Sequence, residues 1–206
     1  MNIAVIGAAG NVGSRIVAEA LRRGHHVTPL SRDDLDAADT TAVTERVRGH
    51  HVGIGATRPS AGLEHEAATV TQALLDAHAA AGVRFLMVGG AGSLHTSDGG
   101  YVADSPHWVP ASIRDLARTA IEQLDTCRHH PTADWTYITP SALMEPGLRT
   151  EDYRLGTDQL LVDDEGRSYL WMEDMAAALL DEIEHPAHRR LRFTVASTRH
   201  FLEPSQ

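Results

Sequence analysis

The chain has 206 residues, a length that suits one domain able to bury roughly 70 % of its unfolded surface without staples. A net charge of −10 with no basic block argues against nucleic acid and anionic membranes as partners. One cysteine, Cys127, allows no disulfide framework, and all 18 basic residues are arginine, which excludes any mechanism built on a lysine amine. No apolar run approaches the roughly 18 residues of a membrane span, and the N-terminus reads as a core strand rather than a signal peptide. The expectation is a cytoplasmic protein with no membrane partner.

Ile3-Ala4-Val5-Ile6 reads as a buried strand, followed by the glycine-rich turn Gly7-Ala8-Ala9-Gly10-Asn11-Val12-Gly13 and an amphipathic helix stopped by Gly24. Val12, Ile16, Val17, Ala20 and Leu21 recur at helical spacing and leave Arg15, Glu19, Arg22 and Arg23 on the predicted wet face. G-x-x-G-x-x-G between a strand and a helix is the context of a phosphate-binding turn. Glycines remove Cβ atoms where a pyrophosphate approaches, and the helix's first N–H groups point at the anion. Gly7, Ala9, Gly10, Asn11, Val12 and Gly13 are the candidate contacts.

His26 to Leu30 is the second strand, ending at Ser31-Arg32. A carboxylate at this strand end would hold the ribose diol of NAD, whereas an arginine suits the 2′-phosphate of NADP. Ser31 and Arg32 thus favour NADP(H) over NAD(H), although Asp33 and Asp34 could weaken the preference and Arg32 could also be a plain surface arginine. Asp33 to Asp39 is short and polar where many nucleotide-binding folds place another strand, and Leu35 could supply a truncated one. Thr41 to Arg48 reads as a short helix and His51 to Ala56 as a strand. The end of that strand, with Gly55, Ala56 and Thr57, would lie at the carboxyl edge of the sheet, where ligands bind.

Glu64 to Ala81 is a long alanine-rich helix closed by Gly82, and Val83 to Val88 is a strand ending in Gly89-Gly90-Ala91-Gly92-Ser93. Leu94 to Ala111 lacks periodicity and reads as a lid or binding loop. Ser112 to Arg128 is predicted as a helix with a serine cap. Trp135 to Thr139 is a strand followed by Pro140-Ser141 and an irregular stretch to Gly156. Gln159 to Trp171 reads as strand pairs around the Asp164-Glu165-Gly166 turn. Glu173 to Glu184 is a helix, and Arg192 to Ala196 the last strand. This alternation predicts a single α/β, Rossmann-like, doubly wound domain over residues 1–206, its mostly parallel sheet covered by helices on both faces, with a small substrate-side region around 141–172.

With these segments in place, the chain resembles the atypical short-chain dehydrogenase/reductases. It is most similar to the small NAD(P)H-binding group named for NADH-flavin reductases, related to biliverdin-IXβ/flavin reductase and to the nitrogen-metabolite-repression regulators. Gly7 to Gly13, Val88 to Ser93, Asp134 to Ser141, Tyr153 to Gly156 and Glu173 to Ala176 carry the likeness. The typical short-chain dehydrogenase pairs a tyrosine with a lysine. Tyr101, Tyr137, Tyr153 and Tyr169 necessarily lack that partner, so alcohol–ketone interconversion by that route is not expected.

The resemblance implies direct hydride transfer to a flavin, quinone or other conjugated small molecule, with the pocket supplying proximity and orientation. It implies Gly89 and Gly90 beside the cofactor and Pro140, Ser141 and Ala142 in the nicotinamide-side loop. Ser93 stands where short-chain dehydrogenases keep a serine, as the candidate catalytic residue, or else satisfies loop backbone groups. Tyr101, Trp108 and Met144 are candidate substrate walls. The 13 histidines form no metal-ligand pattern, and no metal site is expected; His95 and His107 remain possible acids. Glu173-Asp174 reads as a structural helix opening. Two alternatives stay open: an NADP(H)-sensing regulator without turnover, and a pathway-specific biosynthetic reductase or isomerase. The expected assembly is a monomer or a homodimer.

Overall fold

Strand β1 (Asn2–Ile6) shows why the sequence is a near-continuous apolar run. Ile3 and Val5 enter one core, Ala4 and Ile6 the other, and all four are buried. The computed structural model describes residues 1–60 and 62–198. Around β1 assemble α1 (Asn11–Arg22), β2 (His26–Leu30), α2 (Thr40–Val47), β3 (Val52–Gly55), α3 (Ala67–Ala81), β4 (Arg84–Val88), α4 (Arg114–His129) and β5 (Trp135–Thr139). The short strands β6 (Leu143–Glu145), β7 (Tyr153–Gly156) and β8 (Tyr169–Trp171) precede α5 (Met172–Glu184) and β9 (Leu191–Ser197).

The main sheet has seven strands in the order β2-β1-β3-β4-β5-β9-β7. All its neighbours are parallel except β7, which runs antiparallel to β9. Helices α1 and α5 cover one face, over Ile16, Ala20, Leu179 and Phe193. Helices α2, α3 and α4 cover the other, over Val43, Leu74, Leu124 and Tyr137. The result is a Rossmann-like α/β domain. Among the described residues, no helix is long and apolar enough to cross a membrane.

No strand forms between Asp33 and Asp39, so β2 is the sheet's edge. Pro29 within β2 suits that place, because a proline has no N–H to offer a further strand. The aspartates there make turns instead: Asp36 accepts from the Ala38 N–H, and Asp39 caps α2 through the Ala42 N–H. Leu35 is buried in the core without belonging to a strand.

The C-terminal third departs furthest from expectation. The stretch expected to be irregular up to Gly156 contains β6 and the edge strand β7. The strand pairs expected within Gln159 to Trp171 do not form. Asp163 there takes the N–H groups of Glu165 and Arg167 with its own carboxylate, closing a local turn. Residues 169–171 instead pair in parallel with β6 as a separate two-stranded ribbon.

Three helix details also differ. Glu64–Glu66 forms a 3₁₀ turn ahead of α3. Ser112 does not cap α4, because the Ile113 N–H already donates to the Pro110 carbonyl and a 3₁₀ turn covers Ala111–Ile113. Finally, Glu19 is not on a wet face: it is 5 % exposed, whereas Leu21 is 56 % exposed. The flank of α1 carrying Glu19 packs against α5 and the segment around Arg149. There Arg22, Arg23 and Arg149 all donate to its carboxylate. Burial alone would raise the Glu19 pKa, but these three guanidinium groups hold it well below the usual carboxylate range.

Candidate functional site

The order β2-β1-β3 reverses the direction of winding across the sheet at β1, so a crevice opens at the carboxyl ends of β1 and β3. The glycine turn fills that point. The N–H groups of Gly7 and Ala8 both donate to the Leu30 carbonyl, tying the turn to the end of β2. Gly7 has φ +86°, and a Cβ on it would stand 2.4 Å from the Ala56 carbonyl oxygen. A Cβ on Gly13 would stand 2.1 Å from the Gly7 oxygen, so α1 can meet the turn only through glycine. Gly10 differs: it is exposed, and its nearest would-be contact is 3.2 Å away.

Gly10 caps α1 in an extended conformation, and no side chain caps the helix. The first-turn N–H groups at Asn11, Val12 and Gly13 therefore have no acceptor among the described residues, and Ala9, Gly10 and Asn11 beside them are exposed. This is a cradle that an anion fits and a side chain would fill. At the end of β2 the Asp34 carboxylate folds back onto Ser31, accepting from its N–H at 2.8 Å and its hydroxyl at 2.7 Å. Exposed Arg32 reaches across the crevice to the Ser60 hydroxyl and the Arg58 carbonyl and meets no carboxylate among the described residues. At the end of β3, Gly55 is packed on Phe85 and the Ala56 N–H donates to Ile6, while Thr57 is half-buried at the rim.

At the end of β4, a Cβ on Gly89 would collide with the Tyr137 ring at 2.1 Å, and Gly90 packs on Ala120 of α4. Ser93 turns inward from there. It is 1 % exposed, its hydroxyl donates to the Gly90 carbonyl at 3.1 Å, and Arg192 donates to both its carbonyl and its hydroxyl. Arg192 is itself held by Asp158, whose carboxylate that pairing keeps below its usual pKa. At the end of β5, Pro140 and Ser141 are buried. The Ser141 hydroxyl lies between the Tyr169 and Val195 carbonyls, and the Ala142 N–H donates to Ser168.

The three residues read as substrate walls fall into two groups. Tyr101 stacks on His95 and Trp108 packs with Leu94, Val102 and Val109, all within the 94–111 segment. Met144 instead packs against the core on the α1–α5 face. The 94–111 segment is no free lid, because Leu94 and Val102 are fully enclosed and the Val102 N–H donates to the Leu94 carbonyl. Two of the four tyrosines have their hydroxyls committed to partners. Tyr137 is fully buried, donates to the Ala120 carbonyl and has its pKa raised by burial. Tyr153 donates to Asp181, and burial with that carboxylate raises its pKa. Glu173 and Asp174 are structural: Glu173 holds Arg15 and the Gly147 N–H, and Asp174 takes the N–H groups of Thr150 and Glu151.

A family model described as NAD(P)H-binding matches residues 34–186. The chain belongs to this NAD(P)H-binding family. Its relatives include the uncharacterised protein YwnB of Bacillus subtilis strain 168, 34 % identical over 213 residues that cover 96 % of this chain and 99 % of YwnB. Among solved structures, a candidate epimerase from Bacteroides thetaiotaomicron is 37 % identical with a TM-score of 0.90, over 98 % of this chain and 99 % of its own. A candidate NADH-flavin reductase, SP1627 of Streptococcus pneumoniae TIGR4, is 26 % identical with a TM-score of 0.86, over 96 % and 100 %. This membership agrees with the family resemblance read from the motifs. Sequence reasoning missed the inward hold of Arg192 on Ser93, which joins residues 99 positions apart and leaves no local signal.

Proposed function

We propose that this NAD(P)H-binding protein is a cytoplasmic reductase that uses NADPH and delivers hydride to a flavin, quinone or other conjugated small molecule. The observation that carries the reading is the uncapped first turn of α1 over exposed Gly10, with Arg32 free of any carboxylate at the next strand end. In this reading the N–H groups of Asn11, Val12 and Gly13 bind the diphosphate, Ala9 and Gly10 leave room for it, and Gly7 shapes the turn. Arg32 takes the 2′-phosphate. Asp34, the carboxylate that would compete for that place, is occupied by Ser31.

Gly55, Ala56 and Thr57 border the adenosine, while Gly89, Gly90 and Pro140 to Ala142 border the nicotinamide. Bound NADPH would supply the hydride, and the delocalised acceptor anion would take its proton from water. The chain's own share is orientation, which is consistent with a site lacking a tyrosine–lysine pair. Ser93 is assigned to hold the 90–94 turn through Gly90 and Arg192. The 141–172 region with Met144, and Tyr101 and Trp108 across from it, supply the acceptor's walls.

The test is a cofactor titration followed by an acceptor panel. Wild type binds NADPH more tightly than NADH, and R32Q weakens NADPH about 10–100-fold while leaving NADH unchanged. NADPH is then consumed with at least one flavin or quinone. Binding without turnover on any acceptor would replace this reading with that of an NADP(H) sensor.

A further inference from the structure

Arginine pairing in this chain has one exception at depth. Every other half-buried or buried arginine among the described residues donates to a carboxylate or a backbone carbonyl, from Arg84 on Glu182 to Arg154 on Val162. Arg114 is half-buried and has neither. Its Nε is shut off from water without an acceptor, in a chain where 28 carboxylates outnumber 18 arginines. A partly desolvated guanidinium with no counter-charge gains more from an anion than a fully hydrated one does.

The placement of Arg114 is informative. Helix α4 connects the parallel neighbours β4 and β5, so it runs back along the sheet and its first turn lies at the carboxyl edge. It stands over the two strands whose ends carry Gly89–Gly90 and Pro140–Ala142, away from the β2 end that carries Arg32. One turn further along the same flank of α4, Ala117 packs into the Leu94–Val102–Val109 cluster with Trp108, and Arg118 pairs with Asp104 at 3.2 Å. Arg114 thus lies beside the 94–111 segment at the carboxyl edge, on the β4–β5 side of the sheet to which the proposed function assigns the nicotinamide and acceptor. The N-terminal potential of α4 has the same sign, offset in part by Asp115 in the first turn.

The cofactor's phosphates already have hosts at α1 and Arg32, so an anion reaching Arg114 belongs to the acceptor. We infer that Arg114 binds an acidic group, a carboxylate or a phosphate monoester, on the conjugated acceptor. This deepens the reductase reading and rests on it. The acceptor is therefore an acid-bearing conjugated molecule rather than a neutral one.

Two pairs of probes test this: riboflavin against FMN, which differ by a phosphate monoester, and menadione against a menadione carboxylic acid. Affinities are measured by fluorescence titration in the presence of NADP⁺, and turnover by NADPH consumption. In wild type the acidic member of at least one pair binds tenfold or more tightly, and which pair responds separates phosphate from carboxylate. R114Q brings that member down to its neutral twin, R114K keeps part of the preference, and both leave NADPH and neutral-acceptor affinities unchanged. The wild-type preference also shrinks with rising ionic strength, a readout that needs no variant. Equal affinity within both pairs, a salt-independent preference, or weaker NADPH binding by R114Q would each overturn the inference. An acidic acceptor bound through Arg114 without turnover would leave the subsite standing and remove the reductase reading.

Discussion

Gly10 and Gly13 lie three residues apart in one motif, yet an added methyl group should act on them in opposite ways. In G13A the new Cβ would stand 2.1 Å from the Gly7 oxygen, 2.8 Å from its carbonyl carbon and 3.0 Å from Ala8 Cα, all backbone atoms. A normal contact is about 3.5 Å, so the first turn of α1 and the Gly7 turn must part by about 1.4 Å. Overpacking of this kind costs about 1–3 kcal/mol, of which the helix preference of alanine over glycine offsets about 1. The net loss of up to about 2 kcal/mol lowers the melting temperature by up to about 8 °C in a domain this size. The parting also moves the N–H groups that would hold a diphosphate, so G13A loses stability and NADPH binding together. In G10A the Cβ has a single close neighbour at 3.2 Å, and φ is −73°, which alanine adopts freely. Stability stays within about 1 kcal/mol of wild type. The methyl group, however, stands on the exposed rim of the cradle, and NADPH affinity falls at least tenfold, about 1.4 kcal/mol. Thermal melts and an NADPH fluorescence titration on both variants decide the matter. A G10A protein that binds NADPH as wild type does would refute the view that an anion approaches the backbone at this turn.

Two further predictions concern buried ionisable groups away from the crevice. His78 is fully enclosed against Gly53 and Phe85, and burial pushes its pKa down from 6.5 to about 4, against the opposing effect of its hydrogen bond to the Leu74 carbonyl. Between those two values the unfolded chain binds the proton and the native imidazole does not. Stability from this group is therefore complete above pH 6.5 and declines as pH falls, by about 2 kcal/mol between pH 7 and pH 5. Urea denaturation should show this extra loss in wild type and not in H78Q; parallel pH profiles would contradict it. On the opposite face of the sheet, Arg84 donates to Glu182 and Thr136, and Glu182 also takes the N–H groups of Ala187 and His188. E182L leaves Arg84 buried and unpaired, costing about 3–5 kcal/mol, whereas the double variant R84M/E182L should lose less by chemical denaturation. A larger loss in the double variant would show that the charge is not what the pair balances.

Local order made much of this protein legible. The glycine turn could be read because its spacing between a strand and a helix is local, although the Ala56 carbonyl that excludes a Cβ at Gly7 comes from β3's end. The alternation of β and α segments followed from periodicity. The short polar stretch from Asp33 to Asp39 left room for only a truncated strand at Leu35, and none forms there. The reading failed where a partner lay far along the chain. Glu19 looked wet because Arg149, 130 positions away, cannot be seen from α1. Ser93 looked available because nothing near it announces Arg192. The β6–β8 ribbon and the β7 edge strand are too short to have a period of their own, and each pairs with a strand far along the chain, β6 with β8 and β7 with β9.

By itself the amino-acid sequence determined the architecture, the place of the glycine turn ahead of α1 and the absence of any lysine chemistry, because these rest on composition and on spacings of a few residues. Only the tertiary structure decided which polar groups were free to act. It turned Ser93 inward onto Arg192 and, among the described residues, left Arg32 and Arg114 without carboxylates. Whether a charge is spent or available depends on what other segments bring within hydrogen-bonding distance, and that is a property of the folded chain.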